Sequence, residues 1–581
     1  MRKIISILIF SALTFTGTAQ TITKDYFRWP LDAAPAVAGS FGELRPNHYH
    51  IGVDIKTGGH TGLPVHAAAD GYVSRISISG SGYGNCIYVT HPNGYTTIYG
   101  HLSRFNPEIQ KYCNESQYAA ESWIIETYPA PGSLPVKKGE IICYSGNSGG
   151  VRPHLHFEIR ETVSQKAINP LLFGFNYKDN EPPQINAIKI YPIGPNSYVK
   201  INYPGKSLVC SSGKGIIVHV AKNKEGHSYS LSGISGIEAN GTIGFGISDW
   251  DYQVYGTDLM TPYSMELEIN KKQVFCRCMD NLYFEHRRYV NAHLDFSEKE
   301  HSNHWFERCY LLPNDHATIY PHPEESGKLE ITPGNEYDTH FLIKDIAGNA
   351  TTLDFSFKGG PQRTDLVHEP LLDGDIVIPF SKYTRLIKKG METDFEPNTF
   401  YDDVLLHCKV LPKVAGGFSP VYVIENNDVP VERFFTIKIS PQGIPARLFN
   451  KACIVSNADG YRDFIDGYVD NGMVAGKSNE LGRFYVAIDT IPPKIVKANP
   501  KEGNNYHNKA GMFFKTYDNL AGIRNFSGKI DGKWVLFQYD ENSASLYYLF
   551  DEHCPAGKHT LALSVTDMMD NTGTMTMNFE R

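Results

Sequence analysis

From Ile51 to the C-terminus the chain is written in short alternating runs, broken every few residues by Gly, Pro, Asn or Asp. That pattern admits strands and turns far more readily than helices. Period-two alternation puts successive side chains on opposite faces of a sheet, and the turn residues return each strand antiparallel beside the last. The abundance of Tyr (35), Phe (31) and Gly (52) favours the same outcome, and no long amphipathic helix is evident. A length of 581 residues exceeds one domain, so the expectation is a mainly β chain of several antiparallel domains. With 41% hydrophobic and 20% charged residues, a disordered, collagenous or coiled-coil chain is excluded.

The first residues argue a compartment. Arg2 and Lys3 precede an apolar run from Ile4 to Phe15, and Gly17-Thr18-Ala19 offers the small residues of a cleavage site before Gln20. Residues 1–19 are therefore expected to be a secretory signal peptide, leaving a periplasmic or extracellular protein. That run is too short to span a bilayer comfortably, no later stretch offers about 18 uninterrupted apolar residues, and no transmembrane segment is expected. No Cys opens the mature chain, which argues against a lipoprotein anchor. The formal charge is -8; without Arg2 and Lys3 of the leader, 53 basic residues face 63 acidic ones, or -10. Nucleic acid is thus excluded as a partner of the whole molecule. Ten cysteines are too sparse for a disulfide scaffold.

Two landmarks recur along the chain. Asp179-Asn180-Glu181-Pro182-Pro183 is echoed by Asp489-Thr490-Ile491-Pro492-Pro493, each a proline-stiffened entry into a β pattern. Asp345-Ile346-Ala347-Gly348-Asn349 returns as Asp567-Met568-Met569-Asp570-Asn571, each followed by a Thr-rich alternating strand. The expected organisation is 20–178, 179–359, 360–488 and 489–581. The last unit has the size of a small β-sandwich and resembles bacterial immunoglobulin-like modules. The unit 179–359 carries the same signals at twice the length and so contains an insertion or two modules, while 360–488 is β-rich without either landmark.

The chemistry-bearing residues lie before 178. Imidazoles with one carboxylate are the ligand set of a catalytic zinc. His154 and His156, on one strand, share a face about 7 Å apart. A straight strand would hold His50 and Asp54 about 13 Å apart, so their joint ligation needs a bend, which Gly52 permits. Short motifs recur by chance: His48-Tyr49-His50 is a second His-x-His, and His66-Ala67-Ala68-Ala69-Asp70 a second His-x-x-x-Asp. The His66/Asp70 pair enters a turn at Asp70-Gly71 and is assigned to structure. Asp249 and Asp251 fall short of a calcium site and are assigned to a turn.

Order and context add a resemblance. His50-Ile51-Gly52-Val53-Asp54, Val65-His66-Ala67-Ala68-Ala69-Asp70-Gly71, Tyr83-Gly84-Asn85, Tyr99-Gly100-His101-Leu102-Ser103, Gly146-Asn147-Ser148-Gly149 and His154-Leu155-His156-Phe157 closely resemble the lysostaphin-type, or LytM-like, zinc metallopeptidases of bacterial cell walls, over about residues 38 to 162. The resemblance implies one Zn2+ held by His50, Asp54 and His156, with His101 and His154 as the catalytic pair, either of which serves as base. Neutral imidazole is required on the metal, so activity is expected to fall below about pH 6. His48 stays off the metal. The stretch from Pro107 to Pro135 is longer than family members carry, and reads either as a flap beside the groove or as a peripheral loop.

The leading functional expectation is an exported zinc metalloendopeptidase that cuts stem peptides or cross-bridges of peptidoglycan. Two rivals stand beside it: a catalytically silent LytM-like scaffold regulating another wall hydrolase, and a surface adhesin or carbohydrate-binding protein whose main role lies in the C-terminal 400 residues, with a peptidase domain attached. The C-terminal β modules are expected to meet wall or protein partners.

Overall fold

The computed structural model describes residues 22–581 other than 212, 224–226, 253–257, 367–374, 426–427, 457–462 and 501–502, so the expected signal peptide lies outside the described residues. The described residues are 47% strand and 8% helix, a mainly β protein. Its N-terminal sheet contains β1 (Val53–Lys56), β2 (Gly71–Ile78), β3 (Cys86–Thr90), β4 (Tyr95–Gly100) and β5 (His154–Glu161). The spatial order is β1-β5-β4-β3-β2, every neighbour antiparallel. β5 is the inner strand between β1 and β4, and six consecutive residues from Leu155 to Arg160 are buried, because both faces are covered. Val53, Val89, Tyr99, Leu155 and Phe157 fill the space beneath it.

One element departs from the expected absence of helix. Residues Pro107–Ala120 form a 14-residue helix, α1, inside the stretch read as flap or loop. Its start is locally specified: Asn106 accepts the Ile109 N–H through its side chain at 2.9 Å, and Pro107 occupies the first turn, where no donor is needed. The buried stripe is Ile109, Cys113 and Gln117, one position per turn. A polar Gln in that stripe hides the amphipathic period from a sequence reading.

The next unit is built around one 17-residue strand, Gly236–Tyr252, which pairs with Gln184–Pro192 and Tyr198–Tyr203 among others. Asp249 and Asp251 lie within this strand and not in the expected turn. A single buried apolar cluster extends from Phe27 to Phe357, so the N-terminal sheet and this unit share a core. Residues 375–488 form a six-stranded and a five-stranded sheet around a second core, and 494–580 form two four-stranded sheets around a third. None of the ten cysteines is joined in a disulfide; Cys276 and Cys278 are half-buried on their strand.

The sequence landmarks meet in space. Asn349 donates to the Asp179 carbonyl at 3.2 Å, and Asn571 donates to the Asp489 carbonyl at 3.1 Å. The entry and exit of each repeated unit are therefore tied by the same Asn-to-Asp bond. Asp251 joins Asp179 and Asp345 at the first tie, and Asp518 joins Asp489 and Asp567 at the second, each trio offering oxygens within 4.8 Å of one another.

The last unit docks on α1. The Tyr118 ring stacks on His553 with centroids 3.7 Å apart, meets Trp534 edge-on at 5.2 Å, and its hydroxyl donates to Asp551. Trp123, just beyond the helix, lies 5.8 Å from the Phe526 ring. The inserted helix is thus the seat of the C-terminal module.

Candidate metal centre and catalytic pair

Strand register assembles the site. On β5, His156 stands opposite Asp54 on one side and Gly100 on the other. His50 precedes β1 and reaches the same point from outside the strand. Gly52 contributes by its size: a Cβ there would lie 2.7 Å from the Phe157 carbonyl and 2.8 Å from the His156 ring, so no larger residue fits.

Three donor atoms converge. His50 Nε2 and His156 Nδ1 are 3.0 Å apart, and each approaches Asp54 Oδ1, at 3.1 and 2.9 Å. These separations are near the roughly 3.3 Å edge of a tetrahedron with bonds of about 2.0 Å. The far nitrogens fix the tautomers: His50 Nδ1 lies 2.8 Å from the Ser40 carbonyl, and His156 Nε2 lies 2.8 Å from Glu158 Oε1. An N–H donated to each acceptor leaves the converging nitrogens with lone pairs. Asp54 Oδ2 is held in turn by Arg45, which also pairs with Glu43. Two lone pairs and a carboxylate oxygen facing one point suit a small divalent cation.

The other two histidines flank this point. His101 Nδ1 lies 2.8 Å from the Ser148 carbonyl and His154 Nδ1 lies 2.7 Å from the Arg152 carbonyl, so both present Nε2 inward. Their rings are 4.6 Å apart, and His154 Nε2 is buried 3.3 Å from Asp54 Oδ1. His101 has φ 59°, a left-handed backbone that a non-glycine residue adopts at a cost, and its N–H is anchored to the Tyr83 carbonyl at 2.8 Å. Such strain is found where a side chain must be aimed.

Burial governs the titration of these rings. It lowers His50 to about 4, and burial together with the neighbouring imidazoles lowers His101 to about 3, keeping both neutral. For His156 burial is outweighed by bonds to Asp54 and Glu158, and its pKa rises to about 9. A proton therefore competes with a cation for His156 Nδ1.

All five residues singled out in the sequence come together here. His48 turns away, with Nδ1 3.0 Å from the Pro46 carbonyl, and His66 is tied to the Gly139 carbonyl and Asp32 at 2.8 and 3.0 Å. Glu158 and Arg160 were not anticipated, and Tyr83 was quoted for the resemblance without a role. Glu158 is fully buried, bound by Arg160 at 2.6 Å and by the Tyr83 hydroxyl at 2.5 Å. Its position two residues after His156 on one strand face was the available signal.

A family model described as peptidase family M23 matches residues 48–122, and one described as a Zu5-like domain matches 376–489. The chain carries an M23, LytM-type peptidase domain. An uncharacterized metalloprotease of Haemophilus influenzae is 31% identical over 27% of this chain and 29% of its own length. The DD-carboxypeptidase/endopeptidase Mpg of Neisseria meningitidis is 32% identical over 21% of this chain and 22% of its own. The murein hydrolase activator NlpD of Salmonella typhimurium is 30% identical over 27% and 33%. The chain thus spans 22–33% of the length of these curated relatives. No helix among the described residues is long and apolar enough to cross a membrane.

Proposed function

We propose that this protein is an exported, zinc-dependent metalloendopeptidase that hydrolyses peptide bonds in the stem peptides or cross-bridges of peptidoglycan. The observation that carries the reading is the convergence of the His50, His156 and Asp54 donor atoms beside two further imidazoles whose Nδ1 atoms are held by backbone carbonyls. His50 would hold zinc through Nε2, His156 through Nδ1 and Asp54 through Oδ1. Bound zinc supplies an acidified water and a Lewis acid for the scissile carbonyl. The chain's own groups do the rest. Glu158 and the Ser40 carbonyl keep the ligand tautomers, Arg45 fixes the carboxylate, and His101 and His154 accept and return protons at Nε2 while orienting the substrate oxygen.

The silent-scaffold alternative has a relative named as a hydrolase activator in its favour, but a scaffold has no need of an intact ligand set with an aimed catalytic pair. The test is digestion of purified peptidoglycan by the mature protein, zinc-loaded and chelator-treated, with muropeptides identified by mass spectrometry. Zinc-dependent loss of cross-linked dimers is expected. Intact dimers across several wall chemistries, despite stoichiometric zinc, would move the role to scaffolding.

A further inference from the structure

The C-terminal module leaves a cleft of about 390 Å³ between itself and the peptidase domain. Three features give the cleft a chemical character. Its peptidase wall is the loop carrying Asn147 and Ser148, and Ser148 is the residue whose carbonyl holds His101 Nδ1 at 2.8 Å, so the cleft adjoins the catalytic pair. Its opposite wall is the module's hairpin, with Gln538, Asp540 and Tyr547; Tyr547 and Gln538 are linked at 3.2 Å from hydroxyl to Oε1. Trp123, half-buried at the seam, adds an aromatic surface. Asp540 lines it, the Glu541 carboxylate lies beside Gly80 of the peptidase wall, and the Lys515 ammonium is taken up by the Ser543 carbonyl and the Ser545 hydroxyl on the module's wall. An anionic ligand meets two carboxylates there, and the ammonium beside them is already bonded within the wall. A neutral ligand with an apolar face and several hydroxyl or amide groups finds rings for the face and Asn, Gln, Ser and Asp for the polar edge.

We infer that this cleft is a saccharide subsite, formed jointly by the peptidase loop 146–150 and the hairpin 538–547, which binds the uncharged acetamido-sugar strand from which the scissile peptide hangs. The choice of that sugar rests on the proposed wall substrate; the neutral, hydroxyl-rich character of the ligand rests on the cleft alone. Sites between domains are common places for ligands, because each domain contributes one wall. Here the arrangement gives α1 a purpose: by seating the module it completes the second wall. A peptide freed of its sugar would lose the contacts of this cleft and keep those of the metal site.

Calorimetric titration of the full mature chain, chelator-treated so that no peptide chemistry intervenes, with a β-1,4-linked tetramer of N-acetylglucosamine tests the subsite directly. Saturable binding with a Kd of about 0.1–1 mM is expected, weakened about tenfold or more by Asn147→Ala and by Gln538→Ala, one variant on each wall. Thermal melts of both variants check folding; Asn147 is exposed on its loop, so its removal leaves the core intact. The zinc-loaded Asn147→Ala protein should show a raised KM on sugar-bearing fragments and an unchanged KM on the sugar-free peptide. No saturable binding to about 10 mM, or equal binding by both variants, would overturn the subsite even if peptidoglycan is cleaved. Binding without cleavage would instead remove the peptidase reading and leave the subsite standing.

Discussion

His156 donates through Nε2 to the buried carboxylate of Glu158 at 2.8 Å, and this contact decides that Nδ1 is the nitrogen facing Asp54 and His50. Glu158 does not touch the metal position, yet the lone pair offered there depends on it. Partners of this kind typically change metal affinity by about 10–100-fold when removed. Glu158→Gln is therefore expected to weaken zinc binding within that range, and Glu158→Ala to weaken it further because Arg160 then loses its anion in the interior. Competition against a chromophoric chelator measures both; wild-type affinity in either variant would contradict the role.

His101 and His154 are expected to act on substrate without holding the cation. His101→Ala and His154→Ala should retain one zinc per chain while turnover falls by about 10²–10⁴-fold, the usual worth of a positioned acid or base. Metal analysis paired with initial rates separates the two effects. Loss of zinc in either variant would place that histidine among the ligands.

Away from the site, His91 is buried between the Asp70 carbonyl and Thr97, at 2.9 and 2.8 Å, and burial lowers its pKa from 6.5 to about 4. The neutral form belongs to the folded state and the proton to the unfolded one. This contribution to stability is complete above about pH 6.5 and is lost as pH falls toward 4, amounting to about 3 kcal/mol in all. Denaturant midpoints should drop over that window and the drop should shrink in His91→Gln. An unchanged slope in the variant would assign the acid sensitivity elsewhere.

Asp251 titrates in the opposite sense. Burial first, then the neighbouring carboxylates of Asp345 and Asp179, raise its pKa from 3.8 to about 8. Its folded form binds the proton more tightly, so its contribution is complete below the ordinary carboxylate range and is lost as pH rises toward 8. Asp251→Asn is expected to melt higher than the wild type at pH 8 and alike at pH 4. A lower melting temperature for the variant at pH 8 would show that the ionised form is stabilised in the fold.

The β architecture was legible because alternation and turn residues are local signals, and the paired landmarks were legible because they repeat. His154 and His156 could be placed together because two residues on a strand share a face. What the sequence concealed is long-range or disguised. Helix α1 buries Gln117 in its apolar stripe, so its period reads as loop. The seat of Tyr118 on Asp551 and His553 joins residues more than 400 positions apart, which no local pattern encodes. Asp518 joins Asp489 and Asp567 only through the fold, and Asp251 was read as a turn residue although it is the last but one residue of a 17-residue strand. Gly52 was expected to permit a bend; its actual necessity is the absence of room beside His156.

The central claim is that three side chains on two adjacent strands and the segment before them hold one zinc ion. X-ray absorption at the zinc edge, with metal content measured on the same samples of the mature protein and of His156→Ala, tests it most directly. The account predicts one zinc per chain coordinated by two imidazoles and one carboxylate in the wild type, and loss of that zinc in the variant. Zinc retained with an unaltered coordination shell in His156→Ala, or a wild-type shell of different ligands, would contradict it.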